Sequence, residues 1–253
     1  MATERLSKFN NIMINIGILT NYDDRLAPFL LKKVYNLKKI NFHVIISKTK
    51  INRTKSNRIF KERTGSFFLK KNLKLSNINL NLPTFLVDSH NSKKFYKIIK
   101  NRNIKYLYNS GTPNKIAKRT LKMVKGVINI HPGILPFYRG CTCPEWTLLN
   151  NDPLGITAHF MDENYDSGPI IKKQFLKFKK KDIKNYQDLR IKIFLSTFEL
   201  ARKIFKNINN LSVYKQNKNK SKYHKVIKRK DFLKIVDKIK RNKYKFNKRN
   251  LIE

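Results

Sequence analysis

An open, mostly parallel α/β sheet with helices on both faces, an antiparallel ribbon at its edge and a basic C-terminal tail is the architecture that the sequence predicts. Three observations lead to it. Several runs are continuously apolar or β-branched rather than alternating, the pattern of strands covered on both faces. Segments with helical spacing lie between those runs. The joins are short, as in a chain of βαβ units.

The first run is IMINIGILT, residues 12–20. In DDRLAPFLLKKVYNL, Asp23 or Asp24 is placed to cap a helix whose Leu26, Phe29, Leu30 and Val34 share a face. INFHVIIS (40–47) predicts the second strand, whereas 48–82 is polar and basic and defines no element. TFLVD (84–88), a helix in SKKFYKIIKNR and the strand IKYLYNSG (104–111) continue the alternation. Pro113 is expected in the first turn of a helix over PNKIAKRTLKM, followed by the strand VINIH at 127–131. GITAHFMD (155–162) and PIIKKQFLKF (169–178) alternate better and predict the antiparallel edge ribbon. The clearest helix lies in YQDLRIKIFLSTFELARKIF, where Ile191, Phe194, Phe198, Ala201 and Phe205 recur at three and four. NNLSVYKQNKNKSK then reads as a linker or surface excursion. In KDFLKIVDKIKRNKYKF a short basic helix puts Phe232, Ile235, Val236 and Ile239 at helical spacing, a stripe that needs a surface to lie on. These readings divide the chain into a domain over 12–206 and a basic extension over 207–253.

The 253 residues carry 57 Lys and Arg against 16 Asp and Glu, a net charge of +41. Two explanations stay open: a bias toward Lys, Asn and Ile throughout, or a polyanion-binding surface. Residues 211–253 hold 16 of the basic residues and 3 of the acidic ones, so a weak nucleic-acid contact through that tail is the expectation under the second. Cys141 and Cys143 have neither redox nor zinc spacing. MATERLSKFNN lacks the apolar stretch of a signal peptide, and the longest charge-free run, 126–138, is too short to span a bilayer. A soluble cytoplasmic protein without membrane insertion, with homo-oligomers allowed, is expected. Gly17 stands alone, so neither a phosphate loop nor a dinucleotide fingerprint follows the first strand.

Ligands of open α/β sheets sit beyond the carboxyl ends of the strands. There NIHPGILPFYR (129–139) places an amide and an imidazole two residues apart, so Asn129 and His131 share a face of the strand. Pro132-Gly133 and Leu135-Pro136 make a rigid exit, with Leu135–Pro136 a candidate cis bond. DENYDSGPI (162–170) brings Asp166 from a second loop. Such a set fits acyl transfer between nitrogens. An amide and a protonated imidazole hold the oxyanion, and a carboxylate or imidazole moves the proton. No serine or cysteine has the context of a covalent nucleophile. No metal is expected, because no His/Cys/Asp cluster has ligand spacing. Singly, Asn129, His131 and Asp166 each read as structural; together, with the Pro-rich loop between, they read as catalytic. His159 reads equally as site-lining or core, Arg139 as an anion contact or a solvated arginine, and the two cysteines as small fillers.

NIHPGILPFYRG with GITAHFMDENYDSGPII resembles the signature of the folate-dependent formyltransferases, whose N-terminal domain is a Rossmann-like sheet. The similarity is clearest over 104–171 and fainter back to 12. It implies formyl transfer from 10-formyltetrahydrofolate to a primary amine of a small molecule, with Asn129, His131 and Asp166 on the catalytic positions. It further implies a folate pocket lined by Gly111, Thr112, Pro113, Ile116, Val127, Asp162, Glu163, Asn164 and Tyr165, and an acceptor side with Gly133, Arg139 and Gly140. Asn114 stands where relatives often have Arg. Members of the family act on glycinamide ribonucleotide, methionyl-tRNA or amino sugars. Here TNYDDRLAP puts two carboxylates in place of the phosphate loop of the first group. GTP occurs at 111–113 rather than after the first strand, and the stretch beyond the long helix is short for the tRNA-gripping barrel of the second. SGTPNKI, HPGILPFYRGCTCPEW and ITAHFMDENYDSGPII resemble the small N-formyltransferases of surface-saccharide synthesis, which makes a nucleotide-linked amino sugar the expected acceptor. The competing class is a non-catalytic derivative of the fold that binds RNA through its tail.

Overall fold

The computed structural model describes residues 13–50, 52–69 and 81–244. Ile12, most of 70–82 and the end of the tail helix expected beyond 244 lie outside or at the margins of the described residues. The chain runs β1 (Ile14–Asn21), α1 (Ala27–Val34), β2 (Ile40–Ser47), α2 (Arg53–Thr64), β3 (Thr84–Val87), α3 (Lys93–Asn101), β4 (Tyr106–Asn109), α4 (Lys118–Met123) and β5 (Gly126–His131). It continues through β6 (Arg139–Gly140), α5 (Cys143–Leu149), β7 (Gly155–Phe160), β8 (Ile170–Phe175), α6 (Tyr186–Lys206), β9 (Tyr223–His224) and α7 (Arg229–Lys240).

Seven strands form one sheet in the order β3-β2-β1-β4-β5-β7-β8. The first five are parallel to their neighbours, and β7 and β8 are antiparallel at one edge. The chain winds outward from β1 to β3 and returns to β4 on the other side of β1. That reversal opens a crevice at the carboxyl ends of the central strands, where α/β sheets take ligands. β1 and β2 are buried almost throughout, as unbroken apolar runs between two helical layers should be. One core cluster joins the sheet to α1, α6 and α7 through Ile16, Leu30, Phe42, Leu200 and Ile235. The other joins it to α3 through Leu19, Phe95, Ile99 and Leu107.

The N-cap of the first helix is Leu26, without a side-chain bond of its own, rather than Asp23 or Asp24; Asp24, two residues ahead, still accepts through Oδ1 from the N–H groups of Leu26 (2.8 Å) and Ala27 (3.1 Å). Pro113 is a correction. It does not open a helix; α4 begins at Lys118, and 110–117 is a loop. Side chains compete there for the backbone. Thr112 N–H donates to Asn109 Oδ1 (3.1 Å), and Asn91 takes Ala117 N–H (3.0 Å) while giving its amide to Lys115 O (2.9 Å). The face of α6 is also wider than expected. Leu189, Ile193, Leu200 and Ile204 are buried with Phe198, Ala201 and Phe205, whereas Ile191 and Phe194 are half-buried. This helix packs on the sheet and on α1, α2 and α7 at once, so burial is not confined to one stripe.

Candidate active site

β4 and β5 run side by side, and the amide that ends β4 meets the amide two residues before the end of β5. Asn109 Nδ2 donates to Asn129 Oδ1 at 3.2 Å. Across the antiparallel β5–β7 pair, Asn129 lies opposite His159, and its Nδ2 is 3.2 Å from His159 Nε2. His159 Nδ1 is 2.9 Å from Phe160 O. A carbonyl only accepts, so Nδ1 carries the hydrogen and Nε2 is free to accept from Asn129. The Asn129 amide is thus oriented from both ends. Burial, reinforced by the positive charge of His131, lowers the His159 pKa to about 4, which keeps this ring neutral at neutral pH.

Two residues along the same strand, buried His131 faces the other way in charge. Its Nε2 donates to Tyr138 O at 2.6 Å, and its Nδ1 lies 3.4 Å from Asp166 Oδ1. Burial disfavours the imidazolium, but hydrogen bonds and charge from Asp166, with Cys143 adding to them, raise its pKa well above the ordinary imidazole value. Asp166 moves in the complementary direction. Burial works against its charged form, but His131 and the Gly140 N–H outweigh it and hold the carboxylate below its usual range. Asp166 Oδ1 also approaches His159 Nε2 at 3.7 Å; since that ring is neutral, this is proximity rather than an ion pair.

The loops around the pair are fixed by backbone demands. Asp166 has φ +53°, a left-handed conformation that aspartate tolerates better than most residues. Its Oδ2 accepts from Gly140 N–H at 2.8 Å. Leu135–Pro136 is cis, and Thr157 on β7 ties the exit loop down, accepting from Leu135 N–H (3.1 Å) and donating to Gly133 O (2.7 Å). A Cβ at Gly133 would lie 2.8 Å from Tyr138 O and 3.0 Å from His131 Nε2, so only glycine fits against the imidazole.

The residues expected around a folate fall on two facing loops. On one, Gly111 O accepts from Asn21 Nδ2 (2.5 Å), Thr112 Oγ1 bonds buried His90 (2.6 Å), and Asn114 Nδ2 donates to Thr49 (3.1 Å). On the other, Asp162 Oδ1 accepts from Asn164 N–H (2.9 Å) and Ser167 Oγ (2.6 Å). Lys118 pairs with Glu163 at 2.9 Å, and Lys115 Nζ sits 5.8 Å from the Tyr165 ring, so the loops approach each other at their rims. Ile116 and Val127 are buried beneath them in the second core cluster.

Against the Asp162–Ser167 loop is a cleft of about 540 Å³ lined in part by Asp162 and Asn164 of that loop, with Arg139, Lys215, Gln216 and Ser221. Arg139 donates to Tyr165 O through Nε (3.1 Å) and Nη2 (2.7 Å), and to Ser221 Oγ through Nη1 (2.8 Å). Gly133 and Gly140 do not line this cleft; they support His131 and Asp166 instead. Sequence reasoning missed Asn109, Gln216 and Ser221. Asn109 had a signal, a polar residue ending a buried strand beside Asn129. Gln216 and Ser221 had none, for they come from the stretch read as a linker. Among the described residues, no group of three or more His, Cys, Asp or Glu could hold a metal ion, and no helix is long and apolar enough to cross a membrane.

Residues 112–192 match the family described as formyl transferase. A GDP-perosamine N-formyltransferase of Brucella melitensis biotype 1 is 35% identical over 101 residues, covering 39% of this chain and 37% of that protein. A methionyl-tRNA formyltransferase of a Wolbachia species from Drosophila simulans is 33% identical over 150 residues, covering 58% and 48%. The chain therefore matches less than half the length of either curated relative. Among solved structures, a 4-N formyltransferase from Francisella tularensis superposes with a TM-score of 0.56 at 21% identity, over 83% of this chain and 76% of that one. An N-formyltransferase from Helicobacter canadensis, in complex with folinic acid and dTDP-3-aminofucose, gives 0.52 at 19% identity, over 87% and 72%. These likenesses show a shared fold.

Proposed function

We propose, from the premise that residues 112–192 belong to the formyl transferase family, that this chain moves a formyl group from 10-formyltetrahydrofolate to the primary amine of a nucleotide-linked amino sugar. The observation that carries the reading is the buried His131–Asp166 pair, 3.4 Å apart, beside an Asn129 amide held at both ends. The loop pair, with an apolar base and lysines at its rim, fits a flat, anionic group such as a reduced folate, which supplies the formyl carbon. As the acceptor nitrogen bonds to that carbon, negative charge gathers on the formyl oxygen. Asn129 offers its remaining amide hydrogen to that oxygen. The His131 imidazolium contributes its charge in a site with little water to screen it. Both ring N–H groups of His131 already point at protein oxygens, so its role is electrostatic. Asp166 keeps that ring protonated and is placed to take the proton the amine sheds. The bond from carbon to the folate nitrogen then breaks, and that nitrogen ends protonated. One proton leaves the amine and one reaches the leaving nitrogen, so the transfer balances.

The relatives named for sugar N-formyl transfer support the acceptor class. Against glycinamide ribonucleotide stands Asp24 at the end of β1. Its carboxylate is already bound by Thr20 Oγ1 (2.8 Å) and Ser110 Oγ (2.9 Å), where a phosphate would need cations or free N–H groups. Methionyl-tRNA is the second reading, favoured by the Wolbachia relative and by the charge of +41. The test is turnover with formyltetrahydrofolate against nucleotide-linked amino sugars, glycinamide ribonucleotide and methionyl-tRNA. Asn129→Ala, His131→Ala and Asp166→Ala are each expected to lower kcat by roughly 10²-fold or more. Near-normal turnover in all three variants refutes the catalytic assignment, and no transfer to any amine by the wild type refutes the activity.

A further inference from the structure

We infer that Gln216, which lies beyond the family-matched stretch, is a positioning residue that fixes the backbone of Asp166 and thereby the aim of its carboxylate at His131. The inference rests on the formyl-transfer reading for its kinetic consequence, and on geometry alone for the rest.

The Gln216 amide nitrogen donates to Asp166 O at 2.9 Å and to Gly168 O at 2.7 Å. Its two hydrogens therefore span the turn whose first residue is the left-handed Asp166. The segment is delivered by Tyr214, which exchanges two backbone hydrogen bonds with Ile170 at the start of β8 (2.8 and 3.0 Å). A second tie crosses the same gap: Arg139 holds Tyr165 O and Ser221 Oγ together. A third is β6–β9, where Gly140 pairs with His224, and the Gly140 N–H holds the other carboxylate oxygen of Asp166.

Among these ties only that of Gln216 ends on the main chain of Asp166 itself. The carboxylate direction follows from φ and ψ at this residue, so a loosened carbonyl turns the carboxylate away from Nδ1. Gln216 also has a buried Oε1 without a hydrogen-bond partner among the described residues. Burying an unpaired acceptor is unfavourable, and a leucine of similar size would avoid it. What glutamine adds at this place is its two donors.

The experiment uses the full chain with Gln216→Leu and Gln216→Met, the second keeping the length of the side chain while removing the donors and adding no charge. The readouts are steady-state kinetics with formyltetrahydrofolate and the best acceptor, and the titration of His131 by NMR of labelled histidine. The charged and titratable groups facing His131 are Asp166, Cys143, His159 and His224, and only the first is reached by Gln216. Both variants are expected to lose kcat by about tenfold with KM for the folate within about twofold, and the His131 midpoint is expected to fall by about one pH unit or more. A Gln216→Met protein that melts as the wild type and keeps kcat overturns the inference, since the donors are gone and no charge was introduced. A loss of kcat with the His131 midpoint unmoved also overturns it, because the effect then bypasses Asp166. If the wild type transfers no formyl group yet Gln216→Leu still lowers the midpoint, the positioning stands and the proposed activity falls.

Discussion

At the scale of single residues, the site is a pair of histidines held in opposite protonation states around one carboxylate oxygen. His131 lies 3.4 Å and His159 3.7 Å from Asp166 Oδ1. Burial disfavours the charged form of both rings; Asp166 overrides it at His131, whereas at His159 the charge of His131 adds to it, and the hydrogen bonds agree. Asn129 spends a donor on His159 and so requires a lone pair there, whereas His131 meets acceptors on both sides. A pH prediction follows. With its pKa raised, His131 stays protonated through neutral pH, and activity is expected to decline only as pH rises toward the alkaline range. In Asp166→Asn the larger raising influence is lost, and burial outweighs what Cys143 still contributes. The ring then sheds its proton below the ordinary value of about 6.5, and residual activity is expected only on the acid side. The pH profile of kcat/KM checks this; an alkaline limb unmoved by Asp166→Asn refutes it. Asn129, His131 and Asp166 were legible because each sits in a motif of unusual composition. Asn109 left only a faint signal, a polar residue ending a buried strand, and the part played by His159 stayed open until its neighbour across the sheet was known.

Elements were read with different success according to whether their pattern was set locally. β2 and β3 begin where their apolar runs begin, and α6 covers the segment with helical spacing. α2 was lost in a basic stretch with little amphipathic contrast. α5 was missed because its short CPEWTLL sequence follows Thr142 at φ +50°, a turn that only the folded exit loop imposes. The buried Glu145 of α5 shows what local pattern cannot reveal. Tyr186 donates to it at 2.5 Å and Arg190 lies at 3.3 Å, both from a helix forty residues on. The apolar packing of α6 has a plain energetic consequence. Phe205 is fully buried, with the rings of Phe42 and Tyr108 each 5.4 Å from its own. Phe205→Ala is expected to destabilise the fold by roughly 3–5 kcal/mol, read from denaturant midpoints at unchanged slope. A cost below about 1 kcal/mol would mean that the sheet and α6 are not packed as described.

Across the whole molecule, the division at 206 separates two stretches that the structure joins. Residues 211–244 run back over the loops that carry Arg139 and Asp166 and dock α7 through Phe232, Ile235 and Ile239, with Tyr244 buried beyond it. The stripe at helical spacing announced that docking; the linker-like residues before it hid the contacts to Asp166 and Arg139. Much of the charge of +41 remains on the surface, with too few acids for most of it to be paired. Truncation after Asn210 is expected to lower Tm by about 10 °C or more, given the apolar surface it exposes, and to depress kcat with it. A truncated chain that melts and turns over as the full one would return the extension to the status of a tail. Trp146, the single tryptophan of the chain, stands where this can be watched. Its indole Nε1 donates to Lys225 O at 2.8 Å, and its ring lies 5.2 Å from that of His224. The molecule thus carries its own fluorophore at the seam, one whose emission colour reports, in an unlabelled sample and in real time, whether the last stretch is seated.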